Sequence, residues 1–196
     1  MSSIITPEFR ASYPFVFVAQ KNKRTDGTEV QEYSVTALFA KNADLSTMRK
    51  QAEAVLVEEF GADKTKWPKN IRSPFRKCEE RWKNEGGKQT IPAGYEDGEA
   101  IFMTFKQNAE KGKPSVVDAQ VQDIIEPKEI YAGCYLRASV RPYYYDFKGN
   151  RGVAFGLNNV QKLKDGEPLG GRTRATDDFE AVADDMSKES AGSIFG

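Results

Sequence analysis

The residues with the most evident chemistry lie in CYLRASVRPYYYDF, residues 134–147. At a period of two, Leu136, Ala138 and Val140 fall on one side. Tyr135, Arg137, Ser139 and Arg141 fall on the other, and the same parity continues through Tyr143 and Tyr145. Strand side chains alternate between faces, so an apolar face is backed by one of aromatic rings and guanidinium groups. Rings interleaved with cations suit a single-stranded nucleic acid, in which every base has a π-face and every linkage a negative charge. The same pattern is compatible with a solvated face, because Tyr is a good strand former and Arg beside Tyr makes ordinary cation–π contacts. On this strand alone both readings stand.

The candidate stacking rings are Tyr135, Tyr143, Tyr145, Phe147 and Phe155. Phe155 shares a parity with Val153 and Leu157, so a core position suits it equally well. Arg137, Arg141, Arg151, Lys148 and Lys106 are the cations that would track phosphates. Lys21, Lys23, Arg24, Lys111 and Lys113 sit in two basic connections that would close over a groove.

Other chemistries find less support. Histidine is absent, which removes His-activated nucleophiles, His-ligated zinc and His acid–base catalysis. Cys78 and Cys134 show neither a disulfide framework nor metal spacing, and a reducing, cytosolic setting is expected. Neither GxxxxGK[ST] nor GxGxxG occurs, and neither a cofactor nor a metal is expected. Glu96, Asp97 and Glu99 cluster, and Asp118 and Asp123 lie on or near an expected strand, so a carboxylate-metal nuclease stays open as an alternative, although neither group has a recognisable nuclease spacing. No apolar run approaches the roughly 20 residues of a membrane span, and the opening MSSIITPEFR lacks a signal peptide's basic start and apolar core.

A formal net charge of zero conceals an asymmetry. Residues 177–196 hold six acidic side chains, Asp177, Asp178, Asp184 and Asp185 among them, against Lys188 alone, a net of −5 that leaves +5 on residues 1–176. This tail is expected to be disordered, since its few apolar residues bury too little surface to fold alone. Phe195, next to the last residue, is more than a solubilising tail requires.

Around these residues the elements read as follows. Residues 12–20 and 30–40 form two strands joined through the turn signal Asp26-Gly27. Asp44 caps a helix whose stripe is Leu45, Met48, Ala52, Val55, Leu56 and Phe60, stopped by Gly61. Strands are expected again at 100–106, 115–125, 130–145 and 151–162, six in all. Residues 62–99 are broken by proline and glycine. From Asp63 to Lys88 they carry nine basic residues, with Trp67, Phe75 and Trp82 among them. That stretch is either an insertion pinned to the core by its aromatics or a basic arm beside the groove. The class is mainly β, a small barrel or sandwich in one domain, residues 1–176, with the insertion at 62–99.

The segment GVAFGLNNVQKLKDGEPLGG, residues 152–171, resembles the C-terminal body motif of phage single-stranded DNA-binding proteins, a family long catalogued only as a domain of unknown function. GCYLRASVRPYYYD at 133–146, SYPFVFVAQ and YSVTALFAK resemble its other strands, and Asn158-Asn159-Val160-Gln161 is the most specific block. The resemblance spans most of residues 5–175. It implies an OB-fold-like antiparallel barrel, no enzymatic activity, and sequence-tolerant binding of single-stranded DNA in phage replication, recombination or repair, in the host cytoplasm. The tail resembles the acidic tips through which such proteins recruit replication or recombination partners. It departs from the bacterial Pro-Phe ending, since Ser193-Ile194-Phe195 precedes a final Gly196. Competition with DNA for the basic groove is a second role open to the same acids. A structural or interaction protein of the virion is the remaining alternative.

Overall fold

The computed structural model describes residues 3–23 and 27–170. Five strands carry the architecture: β1 (Phe9–Lys23), β2 (Glu29–Phe39), β3 (Ile101–Asn108), β4 (Tyr135–Phe147) and β5 (Asn150–Lys164). β1 pairs antiparallel with β2 and β2 with β3. β3 meets β5 in parallel at Lys106 and Gly156, β5 runs antiparallel to β4, and β4 returns to β1 through Leu136 and Phe9. The ring is therefore closed, in the five-stranded OB-like arrangement.

Period-two alternation fills the barrel. Val35, Ala37, Met103, Phe105, Leu136, Ala138, Val140, Val153 and Leu157 are buried inward. Phe9, Phe39, Phe105 and Phe155 meet edge-on, with centroids 5.7–6.4 Å apart. Helix α1 (Ser46–Phe60) packs against β4 and β5 through Met48, Ala52 and Val55. Its Phe60 ring meets Tyr144 edge-on at 5.2 Å. Asp44, expected as the cap, stands one residue before the N-cap, Leu45; its Oδ1 accepts the Ser46 amide at 2.9 Å, and the Ser46 side chain, then that amide, hold the carboxyl below its ordinary pKa.

Two expectations need correction. The strand expected over 115–125 survives only as Ser115–Val117, paired with β5. Asp118 stops it: Oδ1 accepts the amides of Gln120 and Gln122, both at 2.8 Å, so the side chain captures the backbone that a ladder would have used. The barrel is also not antiparallel throughout, because the β3–β5 seam is parallel.

That seam is where the stretch 62–99 enters. β3 and β5 pair only at Lys106 and Gly156, and the arm spans the gap beyond. Arg72 bridges in parallel to Gly152, while Arg76–Lys77 adds antiparallel to β3 at Phe102 and Ile101. Phe75 drops onto Phe155, centroids 6.2 Å apart. Trp82 Nε1 donates to the Tyr95 carbonyl at 2.8 Å. A smaller core of Leu38, Cys78, Tyr95, Ala100 and Phe102 lies beneath this arm. The aromatics pin the arm, and the arm completes the barrel wall.

Candidate nucleic-acid interface

Residues paired across a ladder share a face. Phe15 on β1 is opposite Ser34 on β2, Ser34 opposite Lys106 on β3, Lys106 beside Gly156 on β5, and Gly156 opposite Arg141 on β4. This continuous row crosses the outer surface of the barrel. A second row follows, with Ser12, Thr36 and Thr104 in register on one side and Ala154 opposite Tyr143 on the other. Gly156 keeps the floor low: a Cβ there would lie 3.7 Å from Tyr143 Cε1. The resulting groove, about 410 Å³, is lined by Glu32, Lys106, Lys111, Arg141, Tyr143 and Asn158.

The parity read from sequence holds along β4. Leu136, Ala138, Val140 and Pro142 are buried, whereas Arg137, Arg141, Tyr143 and Phe147 are exposed. Tyr143 is 45% exposed and Phe147 40%. Tyr145 is half-buried, its hydroxyl lying 2.8 Å from where a Gly152 Cβ would stand. Lys148 sits 5.6 Å from the centroid of the Phe147 ring, at the β4–β5 turn. Phe155 is a correction: at 2% exposure, between Phe75 and Phe105, it is core and can stack on no base. Tyr135 stands at the opposite end of β4, eight residues or roughly 26 Å from Tyr143 at strand rise. There Lys164 Nζ covers its ring at 4.5 Å.

The cations differ in how free they are. Among the described residues, Arg141 and Lys111 have no side-chain partner. Lys106 Nζ is 2.8 Å from Glu32 Oε2, which also accepts Asn22 Nδ2 at 3.2 Å, so its charge is compensated within the groove. Arg151 lies 3.2 Å from Asp146 Oδ2, without hydrogen-bond alignment. Arg137 Nε donates to Gln161 Oε1 at 2.7 Å, some four residues along β4 from Arg141. Lys113 sits over Phe17 at 4.4 Å. Lys21 and Lys23 are exposed on the β1–β2 hairpin. Arg24 lies outside the described residues, as do Asp177, Asp178, Asp184, Asp185 and Phe195.

Two rings belong to this face that the strand-by-strand reading did not select. Tyr13, 54% exposed, and Phe15, 39%, stack with centroids 6.5 Å apart. A register shift between Ser12 and Phe15 and a left-handed Tyr13, φ 46°, turn both outward. The signal was their parity: Tyr13, Phe15 and Phe17 alternate with Val16, which is buried. The Asn158–Gln161 block is mainly architectural. Asn159 Oδ1 accepts the Ser115 amide at 3.2 Å, Gln161 Nε2 donates to the Asp118 carbonyl at 2.9 Å, and Val160 is core.

Among the described residues no cluster of three His, Cys, Asp or Glu side chains could hold a metal ion. The clustered acids have local duties: Glu96 accepts the Gly94 amide, Asp97 the Glu99 amide, and Glu99 pairs with Lys77. Burial, aided by Asp97 and Glu96, pushes the Cys78 thiol up to about 11, and burial also raises Cys134, so neither presents a thiolate near neutrality. No helix among the described residues is long and apolar enough to cross a membrane.

Comparison with known proteins places this geometry. The family model described as Enterobacter phage Enc34, ssDNA-binding protein, matches residues 2–190. Protein p50 of Acyrthosiphon pisum secondary endosymbiont phage 1 is 33% identical over 75 residues, a stretch covering 37% of this chain and only 40% of that relative. The structure of the single-stranded DNA-binding protein from bacteriophage Enc34 in complex with ssDNA superposes with a TM-score of 0.60 at 21% identity, covering 86% of this chain and 90% of that one. Gp2.5, a single-stranded DNA-binding protein encoded by bacteriophage T7, gives a TM-score of 0.54 at 17% identity, covering 93% and 99%. At such identities the likeness is one of fold.

Proposed function

The chain belongs to the family of the Enterobacter phage Enc34 ssDNA-binding protein, and from that premise we propose that it is a non-enzymatic, sequence-tolerant binder of single-stranded DNA. The observation that carries the reading is the in-register row on the outer face, where Arg141 and Lys111, without a side-chain partner among the described residues, stand beside the exposed Tyr143 ring. OB barrels take oligonucleotides on the β2–β3 face and between the β1–β2 and β4–β5 loops. Here the end of β1 that leads into the first of these carries Lys21 and Lys23, and the end of β4 and its turn carry Phe147 and Lys148. In this reading Tyr143 and Phe147 stack on bases, joined by Tyr145 at the groove's edge. Arg141, Lys111, Lys106, Lys113 and Lys148 meet phosphates. Arg137 and Tyr135, farther along β4, and Arg151, engaged with Asp146, contribute less.

The protein coats and protects single strands during phage DNA replication, recombination or repair. The tail, net −5 against +5 on residues 1–176, competes for the basic face or recruits replication proteins. Fluorescence anisotropy with labelled oligo-dT and mixed-sequence oligonucleotides tests the binding. Four to six phosphate contacts give a log K against log salt slope of roughly −3 to −4, at about −0.7 per contact on single strands. A flat salt response, or cleavage of the oligonucleotide when magnesium is added, overturns the reading.

A further inference from the structure

Two further cavities lie beyond the groove beside Tyr143. Two residues along the parallel seam, Lys106 and Gly156 give way to Thr104 and Ala154, which line a second cavity of about 580 Å³ with Tyr145, Arg72 and Arg76. That cavity shares Arg72, Ser73, Pro74, Phe75 and Val153 with a third, of about 670 Å³, bounded by Trp67, Lys69, Leu56 and Arg49. The two arm cavities thus flank the same stretch, Arg72–Phe75, and the Tyr143 groove lies two residues away along the seam, with no lining residue in common. Together the arm cavities hold five cations, Arg49, Lys64, Lys69, Arg72 and Arg76, against two carboxylates, Glu53 and Glu80. Both carboxylates are engaged: Glu80 takes Arg76 through Nε and Nη2, each at 2.9 Å, and Glu53 pairs with Lys64. Among the described residues Arg72 and Lys69 have no side-chain partner. Arg72 is also fixed in place. Its amide donates to the Arg151 carbonyl at 2.9 Å and its carbonyl accepts the Val153 amide at 3.2 Å, while its side chain is exposed.

We propose that the arm is the second half of the DNA path, with Arg72 holding the backbone of a single strand that leaves Tyr143, passes Tyr145 and continues over residues 67–76. The inference rests on the single-strand reading above and extends it to the length of strand engaged. Adjacency to the barrel face along the seam favours a nucleic-acid strand over an acidic peptide as occupant, and the regular charge of a phosphate backbone matches the surplus of cations. The insertion thereby lengthens the footprint beyond what the barrel face covers.

The test uses the full-length chain and oligo-dT of about 6 and about 14 nucleotides, near the short and long ends of the range that OB folds engage. Arg72→Ala leaves every backbone bond of the arm in place, and its melting temperature is measured alongside. It weakens the longer oligonucleotide several-fold, lowers the salt slope by about 0.7 on that length, and leaves the shorter one unchanged. Arg72→Glu deepens the loss on the longer oligonucleotide alone. Equal losses on both lengths, or none on either, overturn the arm path. An acidic peptide of residues 177–196 that binds the wild-type chain and loses affinity in Arg72→Ala, while long-oligonucleotide binding stays intact, also overturns it in favour of a peptide site. If the unmodified chain bound neither length, the single-strand reading would fall first, which separates the two failures.

Discussion

Removing the Tyr143 ring is the sharpest perturbation of the proposed face. The side chain is 45% exposed, stands opposite Ala154 and leans over Gly156, outside the buried core. Base–aromatic stacking contributes about 1–3 kcal/mol per base by alanine substitution. At 1.4 kcal/mol per tenfold, Tyr143→Ala should raise Kd for oligo-dT by about 5- to 150-fold. The cost to the fold is set by strand propensity, at most about 1 kcal/mol, or a drop in Tm of about 2–4 °C in a chain of this size. The salt slope should not change, because no phosphate partner is lost. Tyr143→Phe retains the ring and should retain most of the affinity. Anisotropy titrations at two salt concentrations, with melting curves for each variant, read all of these quantities. A folded Tyr143→Ala protein with wild-type affinity refutes the stacking role. A collapse in Tm shows that the ring supports the fold and refutes the assignment of faces.

Phe155→Ala should behave oppositely, losing about 3–5 kcal/mol of stability as a core truncation while the folded fraction keeps its DNA affinity; calorimetry with active-site titration of the oligonucleotide checks this. Arg141→Ala should flatten the salt slope by about 0.7, the loss of one phosphate contact, in the same titrations. Lys106→Met should weaken binding more than Arg141→Ala, since it leaves the largely buried Glu32 carboxylate facing the strand, and adding Glu32→Gln should restore much of the loss. Truncation after residue 176 should tighten DNA binding at low salt, with the gain shrinking near physiological ionic strength as screening falls to about 8 Å; equal affinities at low salt reject groove competition by the tail.

What could be read in advance follows from the range of the interactions involved. The alternation of Leu136, Ala138 and Val140 against Arg137, Arg141 and Tyr143 is local, and strand geometry converts it directly into faces. The helix stripe of Met48, Ala52 and Val55 is equally local. Phe155 carried its own answer in its parity with Val153 and Leu157, and the structure puts all three in the core. Tyr13 and Phe15 share a parity opposite the buried Val16, so their common face was legible, but that this face joins the row of β4 depends on pairing between distant strands. The failure at 118–125 came from one carboxylate preferring its own turn. Least legible was the arm. Its junctions, Arg72 with Gly152 and Arg76 with Phe102, join residues far apart in the chain, and no local pattern announces that β3 and β5 part where the arm must enter.

The central claim is that a single strand lies across the outer row of the barrel. Photocrosslinking full-length protein to oligonucleotides bearing 5-iododeoxyuridine, with mass-spectrometric mapping of the adducts, tests it most directly. The account predicts adducts at Tyr143 and Phe147, and at Tyr13 or Phe15 where the row reaches β1, all lost on competition with unlabelled oligo-dT. Competable adducts confined to the Tyr135 end of β4, or to the solvent face of α1, would contradict it.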